Sequence, residues 1–202
     1  MSSISLLHLF IYSGFTINLL LQCGLGIKGA VEAEIPQEGK GFPLDKISLI
    51  KSCIVFFTII LLWFLFSKVI YNIIHGVFIY ILLFPVSILL YEGIEYLIIH
   101  IILKKKKEDD RYTNFNGGIT AIAVFLCINL SNYFMETFIL SFGFTFGLFL
   151  INLIIREIKK RASLETVPLF LRGKPLVLIT MGLLSLVFTT ASLLLFRMIG
   201  VK

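Results

Sequence analysis

The stretch PLVLITMGLLSLVFTTASLLLF, residues 175–196, holds no charged side chain over 22 consecutive positions. A helix of that length rises about 33 Å, enough to cross the ~30 Å hydrocarbon core of a bilayer. Five more charge-free runs precede it, at 1–27, 52–67, 69–91, 112–135 and 137–155. The six runs together take up about two thirds of the 202 residues and leave almost nothing for a water-soluble domain. Composition agrees: 58% of residues are hydrophobic and 15% charged, where soluble domains run roughly 45–50% and about 25%. This excludes a globular enzyme on a membrane anchor. It also excludes a nucleic-acid binder, although the net charge is +6, because the basic residues sit beside apolar spans. The expectation is a single polytopic membrane domain over 1–202.

Open sheet edges cannot face lipid, and the alternation of barrel strands is missing, so the fold class is all-α integral membrane. The runs predict helices at about 3–26, 44–67, 70–103, 118–130, 133–155 and 175–196. The first run is expected to stay as the first helix and not be cleaved as a signal, since no Lys or Arg occurs before Lys28 and a signal needs a basic lead. Helix 3 is longer than a bilayer requires and contains Pro85, so a kink or tilt is expected there. Helix 4 is short: Asn129, Ser131 and Asn132 close its apolar part, which makes it a half-helix or re-entrant segment. Fifteen of the 18 Lys and Arg residues fall in or flank the first, third and fifth connections. The positive-inside rule puts those connections in the cytoplasm and both termini outside. Three helices per half make halves 1–3 and 4–6 inverted if they are repeats, an architecture with working sites on broken helices near the midplane. Gly41-Phe-Pro-Leu44 and Gly173-Lys-Pro-Leu176 look alike, but proline is favoured in any first helical turn, so they do not establish a duplication.

Few residues carry chemistry. Glu92 and Glu95 lie three apart, on one helix face, with His100 beyond them. Ionisable groups inside a membrane are candidates for an ion path; against that, counting ~20 residues along helix 3 sets both acids at the inner interface, beside Lys104 to Lys107. Lys51 and Glu136, near helix ends, read as snorkelling or solvated. The Lys104–Arg111 run reads as a solvated loop that prefers a lipid surface. The fifth connection mixes charge with rigidity, and its Arg156, Glu157 and Arg172 are candidates for partner docking. Cys23, Cys53 and Cys127 form no secreted disulfide framework and read first as small buried residues in helix packing. A cluster is the alternative for Cys23 and Cys127, although in straight helices they differ in depth by ~15 Å and an iron–sulfur cluster normally takes four ligands. No nucleophile–base pair, metal-ligand spacing or phosphate loop supports a stand-alone intramembrane enzyme. His8, His75 and His100 are scattered and read as interfacial or packed.

The last third carries an ordered set of motifs: Phe142-Gly-Phe-Thr-Phe-Gly147, Ile154-Ile-Arg-Glu157, Val167-Pro-Leu-Phe-Leu-Arg-Gly-Lys-Pro175 and Leu178-Ile-Thr-Met-Gly-Leu-Leu-Ser-Leu-Val-Phe188. These resemble the Rnf/Nqr family of membrane subunits, typified by the RnfA component of the Rnf electron-transport complex and the NqrE component of the sodium-pumping NADH:quinone reductase. Weaker likeness runs through Asn18-Leu-Leu-Leu-Gln-Cys-Gly-Leu-Gly26, Leu90-Tyr-Glu-Gly-Ile-Glu95 and Ile119-Thr120. The resemblance implies a core membrane subunit of a redox-driven sodium or proton pump in a bacterial-type inner membrane. Such a chain is at most an electron-carrying or non-catalytic subunit of an ion-translocating oxidoreductase. It also implies a homologous partner of opposite orientation and a [2Fe–2S] cluster held by two cysteines from each.

The cysteines are where this chain departs. Aligned without gaps, the family's cysteine positions fall on Lys28 and Ala123, while Cys23 and Cys127 lie five residues before and four after. Leu126 stands where the family has Asn before the second cysteine. Two readings follow. Small gaps restore Cys23 and Cys127 as ligands, or the chain is a cluster-free paralogue that serves as a membrane scaffold or ion path.

Overall fold

A computed structural model describes residues 3–21, 46–70, 78–98, 117–164, 168, 171 and 173–198. Among them all regular structure is helical, with no strand. The α-helices are α1 (Ser3–Ile11), α2 (Lys46–Phe64), α3 (Phe78–Tyr96), α4 (Gly117–Leu130), α5 (Phe134–Leu164) and α6 (Lys174–Met198). Wider π turns extend α1 over Tyr12–Thr16 and α2 over Leu65–Ile70. Three segments, Leu49–Ser67, Phe134–Ala162 and Lys174–Leu195, are long and apolar enough to cross a membrane; Leu6–Thr16 and Gly117–Leu130 are shorter apolar helices. The chain is a multi-pass membrane protein.

Most expected helices lie where the charge-free runs put them, with two departures. Regular helix in the first run stops at Thr16 and gives way to turns at 17–21, short of the expected end near residue 26. The fifth helix runs on to Leu164, nine residues past the end of the charge-free run at Ile155, because Arg156–Leu164 remains good helix-forming sequence outside an apolar environment. At 31 residues it is about 46 Å long, more than a bilayer core needs. α3 continues as a helix through Pro85.

Packing divides the short helices between two pairs of longer ones. The α1 segment lies against α5 and α6, and α4 lies against α2 and α3, while α2 and α5 pack on each other. Aromatic pairs mark these seams: Phe10 meets Phe142 and Phe146, Phe15 stacks on Phe188, Phe125 meets Tyr80 and Phe84, and Phe56 meets Phe138. α6 buries one narrow stripe (Val177, Met181, Phe188 and Ser192) and turns Leu178, Leu186 and Leu193 outward. In a membrane an outward apolar face is the ordinary lipid-facing state, so the stripe alone fixes how α6 sits.

Candidate functional site: a broken helix on a glycine seat and a buried ion pair

The break after α1 is built by one side chain. Asn18, 1% exposed, donates from Nδ2 to the Gly14 carbonyl at 3.0 Å. Its Oδ1 accepts from the backbone N–H groups of Leu20 at 3.1 Å and Leu21 at 3.3 Å. Ile17 leaves helical geometry with φ −101° and ψ 56°. A helix end strands carbonyls and N–H groups that lipid cannot satisfy; here a single carboxamide serves both sides of the break.

The broken segment also sits very close to α5. A Cβ on Gly143 would collide with Ser13 Oγ and lie 3.0 Å from the Phe10 carbonyl oxygen. A Cβ on Gly147 would strike the Gly14 carbonyl oxygen and lie 2.8 Å from Asn18 Nδ2. Glycines four apart on one helix face let two backbones approach without side chains between them. The motif Phe142-Gly-Phe-Thr-Phe-Gly147 is therefore a seat for the turn at Asn18.

α4 ends differently. Thr120, Val124, Cys127 and Ser131 share one face and are all buried. The Ser131 hydroxyl donates to the Cys127 carbonyl and shares a 2.7 Å hydrogen bond with the Thr137 hydroxyl on α5. Glu136 Oε2 accepts from the N–H groups of Asn132 at 2.8 Å and Tyr133 at 3.3 Å, capping α5. At the outer edge the Tyr80 hydroxyl of α3 donates to Asn129 Oδ1 at 3.1 Å. Glu136 is thus a helix cap, not a merely solvated residue; a carboxylate at the third helical position reaching back to the N-cap is its sequence sign.

Between α2 and α3 lies a buried ion pair: Lys51 Nζ is 2.6 Å from Glu95 Oε1, with the two side chains 4% and 18% exposed. Position near a helix end suggests snorkelling for Lys51; instead it points inward, because Glu95 on the antiparallel α3 offers it a counter-ion. Ser87, Tyr91 and Glu95 recur every fourth residue along the same inward face of α3, and Ser87 and Tyr91 are fully buried. Glu92 does not join Glu95 in the pair: about 60° round the helix, it is exposed. The two acids are close in sequence but serve different surfaces.

The other predicted residues are dispersed. Cys127 is fully buried in the core, whereas Cys53 is exposed on α2, contrary to its reading as a packed residue. Glu157 accepts from Arg161 Nε at 3.0 Å one turn on, and Arg156 is half-buried. Cys23, Arg172, Lys28, His75, His100, Lys104 to Lys107 and Arg111 lie outside the described residues. Among the described residues no three His, Cys, Asp or Glu side chains are grouped to hold a metal.

These features, a helix break tied by a buried amide and a buried ion pair, belong to a polytopic membrane protein with irregular backbone kept inside the protein. No family model matches the chain. Similarity to individual proteins is found with the RnfA component of ion-translocating oxidoreductase complexes. The RnfA protein from Buchnera aphidicola subsp. Schizaphis graminum is 37% identical over 73 residues, covering 36% of this chain and 37% of that protein. The one from Buchnera aphidicola subsp. Baizongia pistaciae is 27% identical over 152 residues, 69% of this chain and 73% of that protein. The one from Pectobacterium atrosepticum is 38% identical over 65 residues, 32% of this chain and 34% of that protein. The match thus spans little more than a third of the first and third relatives and nearly three quarters of the second. The chain is a divergent relative of these RnfA proteins, as the resemblance in its last third implied.

Proposed function

We propose that this chain is an integral membrane subunit of an Rnf/Nqr-type electron-transport complex that couples electron transfer to sodium or proton translocation. The observation that carries this reading is the ordered similarity to RnfA, which extends over 152 residues in one relative. The helical, largely apolar architecture is what such a subunit requires.

In this proposal the chain is one polytopic domain, 1–202, of six membrane helices in two inverted halves, with helices 1 and 4 the broken or half-helices. The packing supports it: exchanging α1 with α4, α2 with α5 and α3 with α6 turns the seams α1–α5 and α1–α6 into α4–α2 and α4–α3 and maps the α2–α5 seam onto itself. The basic connections lie on the cytoplasmic side of a bacterial-type inner membrane and both termini on the outer side. The partners are other subunits of the complex, among them a homologous subunit of opposite orientation. Arg156, Glu157 and Arg172 are its proposed docking residues. Glu95, already neutralised by Lys51, is the inward-facing ion-path candidate; a cation using it would have to exchange with an ammonium. Glu92 belongs to the path only if a neighbouring subunit completes it, since it faces outward.

A [2Fe–2S] cluster held by Cys23, Cys127 and two cysteines of the partner would supply a one-electron carrier. Cys127 offers a thiol, but it is fully enclosed on the inward face of α4, so it can reach a shared cluster only if that face opens toward the partner. The enclosure is the specific observation that favours a second reading, the cluster-free paralogue acting as scaffold or ion path. Iron content and the electron paramagnetic resonance spectrum of the complex, purified with its membrane subunits, decide between them. A reduced iron–sulfur signal that disappears in the Cys23→Ala, Cys127→Ala double variant, with assembly intact, establishes the electron-carrying role. An identical spectrum in wild type and variant leaves the scaffold reading.

A further inference from the structure

The outer face of α3 carries an acid that no described residue answers. Pro85, Leu89, Glu92, Gly93 and Tyr96 recur at helical spacing and are all exposed, Leu89 at 70% and Tyr96 at 60%. Glu92 makes no hydrogen bond or ion pair with any described residue, whereas Glu95, one turn on, is taken by Lys51. Apolar surface also continues past Glu92 along the helix. Leu89 precedes it and Tyr96 and Leu97 follow it on the exposed surface, and after Glu95 the sequence carries no further Lys, Arg, Asp or Glu until Lys104. Beside it, a Cβ on Gly93 would meet nothing within 4 Å, so the helix surface has a notch next to the carboxylate. A carboxylate on a lipid-facing surface is costly, and a notch flanked by large apolar side chains is the shape that admits a closely approaching helix.

We propose that this face is an interface for a membrane helix of another subunit, and that the helix carries a lysine or arginine at the depth of Glu92. The occupant is set by charge complementarity. A neutral apolar helix would leave the carboxylate desolvated and unpaired, with nothing gained over lipid. A second copy of this chain would bring acid against acid. A basic side chain satisfies the carboxylate, while Leu89, Tyr96 and the Gly93 notch supply the packing that lipid-embedded helices use in place of a hydrophobic drive. The proposal rests on the chain being a subunit of a membrane complex, but it is independent of the iron–sulfur question. The cysteine variants decide the cluster without touching α3, and the test below reads a helix contact without measuring iron.

The test places the photo-crosslinking residue p-benzoylphenylalanine at Leu89, exposed on the same face, which leaves the Gly93 notch open, in the full chain expressed in membranes with the other membrane subunits of its complex. The expected adduct joins one other subunit through an apolar span that contains a lysine or arginine. Glu92→Lys should cut the adduct yield about tenfold or more, the scale of losing one desolvated charge pair, and Glu92→Asp should retain most of it. Changing the partner's basic residue to glutamate should restore the Glu92→Lys adduct. If Glu92→Lys is not recovered in the membrane, Glu92→Gln, which keeps shape and removes charge, should still lower the yield severalfold. Three results would each overturn the proposal: adducts to lipid alone, adducts to a second copy of the chain, or crosslinking to another subunit that is indifferent to Glu92→Lys or Glu92→Gln.

Discussion

The two short helices, α1 and α4, end by different chemistry. After α1 the backbone opens inside the protein, and one buried amide, Asn18, serves a carbonyl on one side and two N–H groups on the other. After α4 the chain turns directly into α5, and three separate groups share the duty: Ser131, Thr137 and Glu136. The first end also leans on a glycine seat that permits no side chain; the second has Ile88 of α3 beside Gly117 at its far end, but nothing comparable at the break. The difference is one of redundancy. Where a single residue does the work in a place without room to relax, substitution is severe. Where several groups share it near an exposed turn, each loss is small.

The seat gives the largest expected effect. Gly147→Val puts a branched side chain onto the Gly14 carbonyl oxygen and the Asn18 amide, neither of which can swing aside. A destabilisation of about 3 kcal/mol is expected, at the upper end for an overpacked site, measured as loss of thermal stability of the purified chain in detergent or nanodiscs. Gly182→Ala on α6 is the control, because a Cβ there meets nothing within 4 Å. It should be neutral or gain up to about 1 kcal/mol from helix propensity. Equal losses at both positions would mean that the close approach of α1 to α5 does not exist.

Asn18→Leu comes next. It keeps the branched shape but leaves the Gly14 carbonyl and the Leu20 and Leu21 N–H groups without their partner. The expected cost is about 2 kcal/mol, that of stranding buried polar groups. Hydrogen exchange should rise at Leu20 and Leu21 while α5 stays protected. Protection unchanged at those two amides would show that the break does not depend on the carboxamide.

How much of this is legible in the sequence depends on what each feature needs. Charge-free runs locate α2, α4 and α6 to within a few residues, because lipid solvation acts on every residue of a span and leaves a long, additive signal. The break at Asn18 is hidden, since one neutral polar residue barely alters the hydropathy of a 27-residue run. The overrun of α5 past Ile155 is hidden for the converse reason: helix propensity does not stop where apolarity stops. The glycine motif is visible as a pattern and as part of the resemblance, yet its role as a seat needs the position of Gly14 on another helix. Lys51 misleads a local reading because its environment is decided by Glu95, 44 positions away in sequence and 2.6 Å away in space. Burial of a charge is a property of the pair, which no local count can supply.

The α4 side should answer more mildly, in two graded steps. Glu136→Ala removes the cap from Asn132 and Tyr133 at the start of α5; about 1 kcal/mol is expected, typical of a lost helix cap. Ser131→Ala removes the hydroxyl bridge to Thr137 but leaves the Ser131 N–H bonded to the Cys127 carbonyl at 3.0 Å. Thr137 can still donate to the Tyr133 carbonyl, at 3.4 Å in the present arrangement, so no donor is stranded. A loss of about 0.6 kcal/mol follows, the average for a side-chain hydrogen bond between membrane helices. If Ser131→Ala instead matched Asn18→Leu in cost, the turn between α4 and α5 would be as singly determined as the break after α1, and the contrast between the two half-helices would collapse.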